Sequence, residues 1–254
     1  MKKILFITLL LLTKALFAQQ ADSLFVEANK LYQNEEYTKA LELYKKIEAI
    51  KKPLKQIDRL YYNIANANYK LNRVAPAIYY YEKALMENPN NTDARFNLGF
   101  AKRMAIDNIE PLPKTISQKI TEGFILKLNY NTWAWLAVSF SLLFAVLFLL
   151  YHFSYSSGSK RFYFVSSIVS AFLALLTIAF AYHNYNTVTS NKPAIVFAQQ
   201  ADVKSAPTMS SEVNFQLHEG TKVQILESLD NWEKIKIADG KMGWIVADDI
   251  RELK

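Results

Sequence analysis

The sequence contains no cysteine. Disulfide bonds, thiol catalysis and cysteine-ligated zinc are therefore excluded, and each domain must be held together by its apolar core or by membrane contacts. Histidine is also scarce, and His152, His183 and His218 stand far apart without the spacing of a nucleophile–base pair or a metal-ligand set. We therefore expect a protein that is not an enzyme and that carries no metal or other cofactor.

Acidic residues are almost absent from the middle of the chain. Residues 111–194 carry six basic residues and one acidic residue, whereas residues 195–254 carry seven basic and ten acidic residues. The net charge of +7 therefore comes mainly from the N-terminal segment and from the flanks of the apolar middle. This distribution is typical of membrane flanks and argues against a nucleic-acid partner.

The N-terminus has the pattern of a secretory signal. Lys2 and Lys3 precede a nine-residue apolar run, and Ala18 stands before a polar stretch. We expect residues 1–18 to be a signal peptide cleaved after Ala18. A short anchor that is retained is the alternative, and both interpretations export the residues that follow.

Two longer apolar runs, residues 133–153 and 162–183, each reach the roughly 20 residues that cross a bilayer. Neither contains Asp, Glu, Lys or Arg. The connector, residues 154–161, carries Lys160 and Arg161, and positive residues favour the cytoplasmic side. The sequence therefore predicts two spans in a bacterial inner (cytoplasmic) membrane, with the N-terminal and C-terminal domains in the periplasm.

Residues 19–108 contain an internal helical repeat. Ala40 and Tyr44 recur as Ala77 and Tyr81, 37 residues later, and a small residue is what two closely crossing helices require. The pattern resembles the tetratricopeptide (TPR) family, and an unrelated helical bundle is the alternative. A partial third unit follows. The predicted crossing points are Ala28, Ala40, Ala65, Ala77 and Gly99.

The TPR resemblance implies a concave groove lined by the first helix of each unit. Its aromatic and amide composition favours an extended peptide or a partner helix, although each aromatic residue taken alone is equally well explained by packing. The candidate groove residues are Phe25, Asn29, Tyr32, Arg59, Tyr62, Asn66, Tyr69, Phe96, Phe100 and Arg103.

Residues 109–132 combine a proline-containing linker with a short amphipathic pattern. Ile116, Ile120 and Phe124 recur at roughly helical spacing among lysines. We interpret this as a segment at the membrane surface. A helix packed against the repeats predicts the same pattern.

The C-terminal part switches to the period-two pattern of strands after a polar stretch, residues 184–194, which we interpret as a tether. Asp239-Gly240 is a hairpin signal. Glu219-Gly220-Thr221 and Gly243-Trp244-Ile245, in this order, resemble the bacterial SH3-like family, which places a small all-β barrel at residues 195–254. The candidate ligand-binding residues are Phe215, Trp232 and Trp244, and we expect His218 to lie on an exposed turn.

The predicted fold class is a multi-domain membrane protein with all-α TPR repeats, a two-helix transmembrane hairpin and a small all-β SH3-like barrel. This order resembles the BatE-type components of the bacterial Bat aerotolerance system. The resemblance implies a scaffold that binds protein partners, among them membrane proteins of the von Willebrand factor A type. The alternative is a cell-envelope tether whose SH3-like domain binds peptidoglycan.

Overall fold

A computed structural model describes residues 22–50 and 57–253 and divides into two compact units. One unit combines the chain up to Pro111 with the chain from Lys192 onward, and the other spans Leu112–Asn191. The predicted signal peptide, residues 1–18, lies outside the described residues.

The first unit begins with helices that pair through tight turns. Glu35 and Asn72 occupy the left-handed region (φ 64° and 54°) at equivalent places in the two pairs, 37 residues apart. Each turn reverses the chain within three residues, which places consecutive helices antiparallel. The helices are α1 (residues 22–33), α2 (Tyr37–Ala49), α3 (Ile57–Lys70), α4 (Val74–Glu87) and α5 (Thr92–Lys102).

The small residues expected at the helix crossings are buried, with one exception. Ala28, Ala40, Ala65 and Ala77 have no exposed surface and belong to one apolar core. At Gly99, a Cβ atom would meet nothing within 4 Å. The prediction that Gly99 is a crossing point is therefore wrong, because no helix of this region follows α5 to cross it.

A seven-stranded antiparallel sheet forms the C-terminal part of the same unit. Along the sheet the order of strands is β3-β2-β6-β5-β4-β1-β7. Turns with positive φ at Asp230 and Gly240 join β4 to β5 and β5 to β6. The strands are β1 (Lys192–Val196), β2 (Gln200–Lys204), β3 (Val213–His218), β4 (Lys222–Leu229), β5 (Trp232–Lys236), β6 (Met242–Val246) and β7 (Ile250–Glu252).

The sheet and the helical repeats share part of their packing. Alternate residues of the strands fill a core of their own, which includes Val203 and Ile245. Ile195 of β1 and Leu253, just after β7, instead join the core of the helical repeats. The repeats and the sheet therefore form one body, although about 80 residues of chain separate them.

The second unit contains a helix, a 3₁₀ turn and two long helices. These are α6 (Ile116–Gly123), the turn Ile125–Lys127, α7 (Tyr130–Phe153) and α8 (Ser157–Ser190). In the most apolar windows of α7 and α8 only 11% and 22% of residues are buried, whereas the core helix of a soluble protein is mostly buried. Both are long and apolar enough to cross a membrane, which indicates membrane insertion.

Several boundaries differ from the sequence interpretation. Residues 184–190, assigned to a tether, continue α8, and β1 starts at Lys192, so no turn-rich tether joins them. The connector between the long helices is residues 154–156 rather than 154–161. The polar composition of residues 184–190 suggested a linker. Thr, Asn and Tyr are nevertheless tolerated where a helix has already formed and continues.

A stripe of small and polar residues on α8 holds the two long helices together. Ser167, Ser170, Ala174 and Thr177 are buried at heptad-like spacing. The Ser170 hydroxyl donates to the Phe140 carbonyl of α7 at 2.9 Å. Close approach through small residues and hydrogen bonds across helices is how membrane helices associate.

Candidate functional site

Two asparagines and a tyrosine form a hydrogen-bonded group at the first helix pair. The Asn29 side-chain oxygen accepts hydrogen bonds from the Tyr44 hydroxyl (2.7 Å) and from Asn63 Nδ2 (2.9 Å). Tyr44 lies on the second helix of its pair, and Asn63 lies on the first helix of the next. One asparagine oxygen thus connects α1, α2 and α3.

The same group recurs one repeat later. The Asn66 side-chain oxygen accepts from the Tyr81 hydroxyl and from Asn97 Nδ2, the latter at 3.0 Å. Asn97 Nδ2 also donates to the Tyr62 hydroxyl at 3.1 Å. The asparagine–tyrosine–asparagine group is therefore a property of the repeat and recurs along one face of α1, α3 and α5.

These amides retain hydrogen-bonding capacity. In both groups the two bonds occupy the oxygen of the first asparagine, Asn29 or Asn66, and the nitrogen of the second, Asn63 or Asn97. Within the described residues no partner is assigned to the remaining nitrogen of the first or the remaining oxygen of the second. Each group therefore offers at least one N–H donor and one oxygen acceptor.

Burial keeps the tyrosines of the groups protonated. It raises the pKa of Tyr44 and of Tyr81 well above the ordinary value, so both hydroxyls remain donors throughout the physiological range. Burial likewise raises the pKa of Tyr32 on α1. The asparagine–tyrosine–asparagine groups are consequently neutral in this range.

The last helix adds an exposed aromatic pair to this face. The Phe96 and Phe100 rings lie 4.9 Å apart, edge to face, and the Arg103 guanidinium lies 4.9 Å from the Phe100 ring. Phe96 is 68% exposed, so packing within the described chain does not account for it. Tyr62 and Tyr69 are half-buried against the helical core.

Six of the ten predicted groove residues fall into two groups. Asn29, Asn66 and Tyr62 take part in the hydrogen-bonded network, and Phe96, Phe100 and Arg103 form a contiguous cluster on α5. Phe25 contacts Tyr44, its ring centroid lying 5.9 Å away. Tyr32 stacks edge-on against Tyr37, and Arg59 is exposed on α3.

Sequence reasoning missed Asn63 and Asn97, which complete the two groups. They are 34 residues apart, the length of the family repeat, and this spacing is the signal that identifies them. Tyr44 and Tyr81 were recognised only as packing residues. Their 15-residue offset from Asn29 and from Asn66 is a second signal.

In the sheet, two of the three candidate ligand-binding aromatics share a face. Trp232 pairs with Val246, and Trp244 pairs with both Lys234 and Lys204. The Lys234 ammonium lies 5.7 Å from the Trp244 ring centroid. Because Trp244 is only 9% exposed, Trp232 offers the more accessible ring.

Phe215 lies on the other face of the sheet. It pairs with Val203, whose neighbour Lys204 pairs with Trp244, and adjacent residues of a strand point to opposite faces. Phe215 packs against the sheet core beside Ile109. A cavity of about 390 Å³ borders both residues, so the three aromatics do not form one site.

Models of two known families match the helical repeats and the sheet of this unit. The tetratricopeptide repeat model matches residues 58–91, and the bacterial SH3 domain model matches residues 200–251. The chain carries a TPR and a bacterial SH3 domain. No curated protein matches the chain. The helical repeat and the SH3-like sheet predicted from the sequence are confirmed.

The SH3 domain docks on helix α4 of the TPR. The Tyr79 hydroxyl donates to the Glu252 carbonyl at 3.1 Å, and the Tyr79 ring contacts Phe197. The Glu82 carboxylate forms ion pairs with Lys222 of the SH3 domain (2.7 Å) and with Lys102 of α5 (2.9 Å). The contact is therefore partly apolar and partly ionic.

His218 belongs to this contact and does not lie on an exposed turn as predicted. Its Nδ1 lies 2.7 Å from the Asp107 carboxylate, and its backbone N–H donates to the same carboxylate at 2.7 Å. The Thr221 hydroxyl also donates to Asp107. Burial would raise the pKa of Asp107, but the hydrogen bonds from Thr221 and His218 outweigh it and lower that pKa.

The Asp107–His218 pair resembles the Asp–His hydrogen bond of a catalytic triad. The nearby hydroxyl, Thr221, however bonds the carboxylate and is not positioned by the imidazole. Among residues 22–50 and 57–253, no group of three or more His, Asp or Glu side chains is placed to hold a metal ion. The Asp107–His218 pair therefore links the segment after α5 to the SH3 domain.

Proposed function

We propose that this protein is a non-enzymatic, membrane-anchored scaffold whose TPR groove binds an extended segment of a protein partner. The observation that carries the proposal is the repeated asparagine–tyrosine–asparagine group. A peptide unit carries one N–H donor and one C=O acceptor, and each group presents the complementary pair. Binding through backbone groups tolerates many partner sequences.

The neighbouring side chains define the rest of the ligand. Phe96 and Phe100 offer exposed aromatic surface for an apolar side chain. Arg103 is the one cation of this α5 cluster, and its guanidinium rests on Phe100. A lone, ring-stacked cation favours an internal segment of a partner over a free C-terminal carboxylate, which binds best to several converging donors.

The site of action in this proposal is the periplasmic face of the inner membrane. The shared core of the TPR and the SH3 domain requires both to lie on one side of the bilayer, as two spans allow. The predicted signal peptide and the basic residues Lys160 and Arg161 favour the periplasmic side for both domains.

A role beside a Bat-type complex is the more specific form of the proposal. It rests on the order of TPR, paired spans and SH3 domain, and it implies von Willebrand factor A-type membrane proteins as partners. A photo-crosslinking residue placed at Phe96 tests both levels. We expect it to capture a protein from membranes, whereas the same residue at Met86, exposed on α4, should not.

The captured protein must then depend on the groove. Asn63→Ala with Asn97→Ala removes one amide of each group and should abolish the cross-link at position 96 without loss of membrane insertion. A von Willebrand factor A protein in the cross-link supports the Bat-type role. Equal capture from positions 96 and 86 would remove the groove from the proposal.

Peptidoglycan binding by the SH3 domain is the second candidate. It is favoured by Trp232 and Trp244 on one face of the sheet with Lys204 and Lys234 beside them. In this case the full-length protein in detergent would sediment with purified sacculi, and Trp232→Ala would abolish this. The groove variants at Asn63 and Asn97 would leave sedimentation unchanged, which separates the two candidates.

A further inference from the structure

Helix α6 and Phe124, which follows it, carry an apolar stripe that is largely exposed within their own unit. Ile116, Ile120 and Phe124 follow one another at four-residue spacing and are 77%, 54% and 54% exposed. No residue of α6 is buried. A surface helix of a soluble domain turns such a stripe inward, so its exposure indicates that a further apolar surface covers it.

The helix nevertheless begins at a well-defined residue. Thr115 forms a capping box with Gln118, in which each side chain bonds the backbone N–H of the other residue. This arrangement satisfies N–H groups that a helix start otherwise leaves open. The capping box therefore fixes the residue at which this short amphipathic helix begins.

Hydrogen bonds attach the segment to one end of the α7–α8 hairpin. Buried Asn184 donates to the carbonyls of Ile125 (3.0 Å) and Leu128 (2.6 Å), and the Trp133 indole donates to Ile125 at 2.9 Å. Thr121 contacts His183 at 3.0 Å. These bonds fix α6 beside the ends of both candidate membrane helices.

The apolar stripe continues onto the hairpin. The Phe124 ring lies 5.6 Å from the Trp133 ring and 5.8 Å from the Phe180 ring, which belong to α7 and α8. Aromatic residues at the end of a membrane helix occupy the headgroup level. The stripe is thus continuous with the surface of the hairpin that would face lipid in the proposed membrane insertion.

The charge of the segment matches one class of lipid. Residues 112–132 contain three lysines and a single acid, Glu122, which pairs with Lys114. Within the described residues, neither Lys119 nor Lys127 has an acidic partner. Juxtamembrane lysines are attracted by anionic headgroups.

We propose that α6 and the adjoining 3₁₀ turn form an interfacial foot that binds the headgroup region of a bilayer rich in anionic phospholipid. Ile116, Ile120 and Phe124 enter the boundary between headgroups and acyl chains, and Lys119 and Lys127 contact lipid phosphates. The inference rests on the proposed insertion of the hairpin. It goes beyond the scaffold role because it assigns a lipid-binding surface.

The absence of native cysteine permits a direct test in the full-length protein. Ile120→Cys, Glu122→Cys on the opposite face of α6, and Leu143→Cys within α7 each receive an environment-sensitive fluorophore. The protein is reconstituted in vesicles of equal parts phosphatidylcholine and phosphatidylglycerol. We expect shallow spin-labelled lipids to quench position 120, aqueous iodide to quench position 122, and deep spin-labelled lipids to quench position 143.

The lysines are tested in the same assay. Lys119→Gln or Lys127→Gln should reduce the ratio of docked to undocked α6 by about fivefold each in these vesicles and have little effect in pure phosphatidylcholine. Lys236→Gln, exposed on β5, is the matched control and should change neither.

Three results would overturn the inference. Equal iodide quenching at 120 and 122 would place α6 in water. Protection of 120 from iodide without lipid quenching would mean that α6 packs on protein. Absence of deep quenching at position 143 would reject both the inserted hairpin and the interfacial foot. If position 143 is quenched by deep spin labels and one of the first two results is obtained, only the foot is rejected.

Discussion

Glu82 is a single carboxylate that connects three elements, α4, α5 and β4. Its side chain is 10% exposed, and its two partners, Lys102 and Lys222, are about half exposed. Removing one side of an enclosed ion pair leaves charge without compensation, which costs more than the pair contributes. The stability lost on substitution of Glu82 therefore measures how much these ion pairs contribute to the contact between the TPR and the SH3 domain.

We expect Glu82→Gln to lower the free energy of unfolding of the full-length protein by about 1–2 kcal/mol, a value reduced for the exposure of both lysines. Glu87→Gln, exposed near the end of the same helix, is the control and should change stability by less than about 0.5 kcal/mol. Urea unfolding followed by tryptophan fluorescence measures both. Equal effects of the two variants would contradict a structural role for Glu82.

The pH dependence of stability follows from the same residue. Burial would raise the pKa of Glu82, but the two lysines outweigh it, so this pKa lies below its ordinary value. Such a group stabilises the folded state above the unfolded carboxylate pKa of about 4.3, and the contribution is lost as the pH falls through the folded pKa. Wild type and Glu82→Gln should therefore differ in stability at neutral pH and converge in acid.

The sequence alone identified only two of the four asparagines that form the hydrogen-bonded groups. Asn29 and Asn66 were found because they occupy equivalent positions in two units. Asn63 and Asn97 were missed because the 34-residue spacing of two helix-surface amides acquires a meaning only when their hydrogen-bond partners are known. The bonds from Tyr44 and Tyr81 depend on the packing of helix pairs, which periodicity does not encode.

Among the helices, the crossings at Ala40 and Ala77 test whether the helix pairs pack through small residues. Both are fully buried. Ala40→Leu and Ala77→Leu should each lower the free energy of unfolding by about 1–3 kcal/mol. Ala49→Leu, on the exposed face of α2, is the matched control, and a similar loss there would contradict the crossing assignment.

Gly220 determines how closely the SH3 domain approaches α4. Its φ is +90°, and a Cβ atom would lie 2.9 Å from Ile78 Cδ1 and 3.0 Å from Val74 Cγ1. Gly220→Ala should therefore cost about 1–3 kcal/mol through backbone strain and overlap. Gly99→Ala, in open space within α5, should be neutral or slightly stabilising. Thermal unfolding of the two variants distinguishes these outcomes, and similar midpoints would disprove the close contact.

Elements were predicted well where one periodicity extends over several turns or strands. The apolar runs, the small-then-aromatic repeat and the Asp-Gly turn all depend on local sequence. The junction between α8 and β1 was not recognised, because the polar residues 184–190 read as a linker and contacts such as that of Asn184 with Ile125 are not visible in the sequence. Such contacts join residues 59 positions apart and leave no local signal.

At the scale of the whole molecule, the TPR and the SH3 domain are two parts of one folded body. Ile195 and Leu253 complete the core of the helical repeats. From the sequence, the two domains were expected to be separate modules, with residues 184–194 as a tether before the SH3-like domain, because the interface uses residues scattered over both domains and has no motif. A TPR fragment that ends near residue 110 therefore exposes part of its core, so its stability does not represent that of the intact protein.

This shared core makes membrane topology a test of the fold as well as of location. The chain between the two domains forms α7 and α8, and an even number of spans returns the chain to the side from which it left. Single cysteines at Asn90 in the TPR, Asp248 in the SH3 domain and Tyr155 between the long helices are each unique, because the sequence has no cysteine. An impermeant maleimide in intact spheroplasts should label positions 90 and 248, and position 155 should react only after permeabilisation. Different labelling of 90 and 248 would contradict the shared core, whereas labelling of 155 with protection of the other two would preserve the core and reverse the proposed orientation.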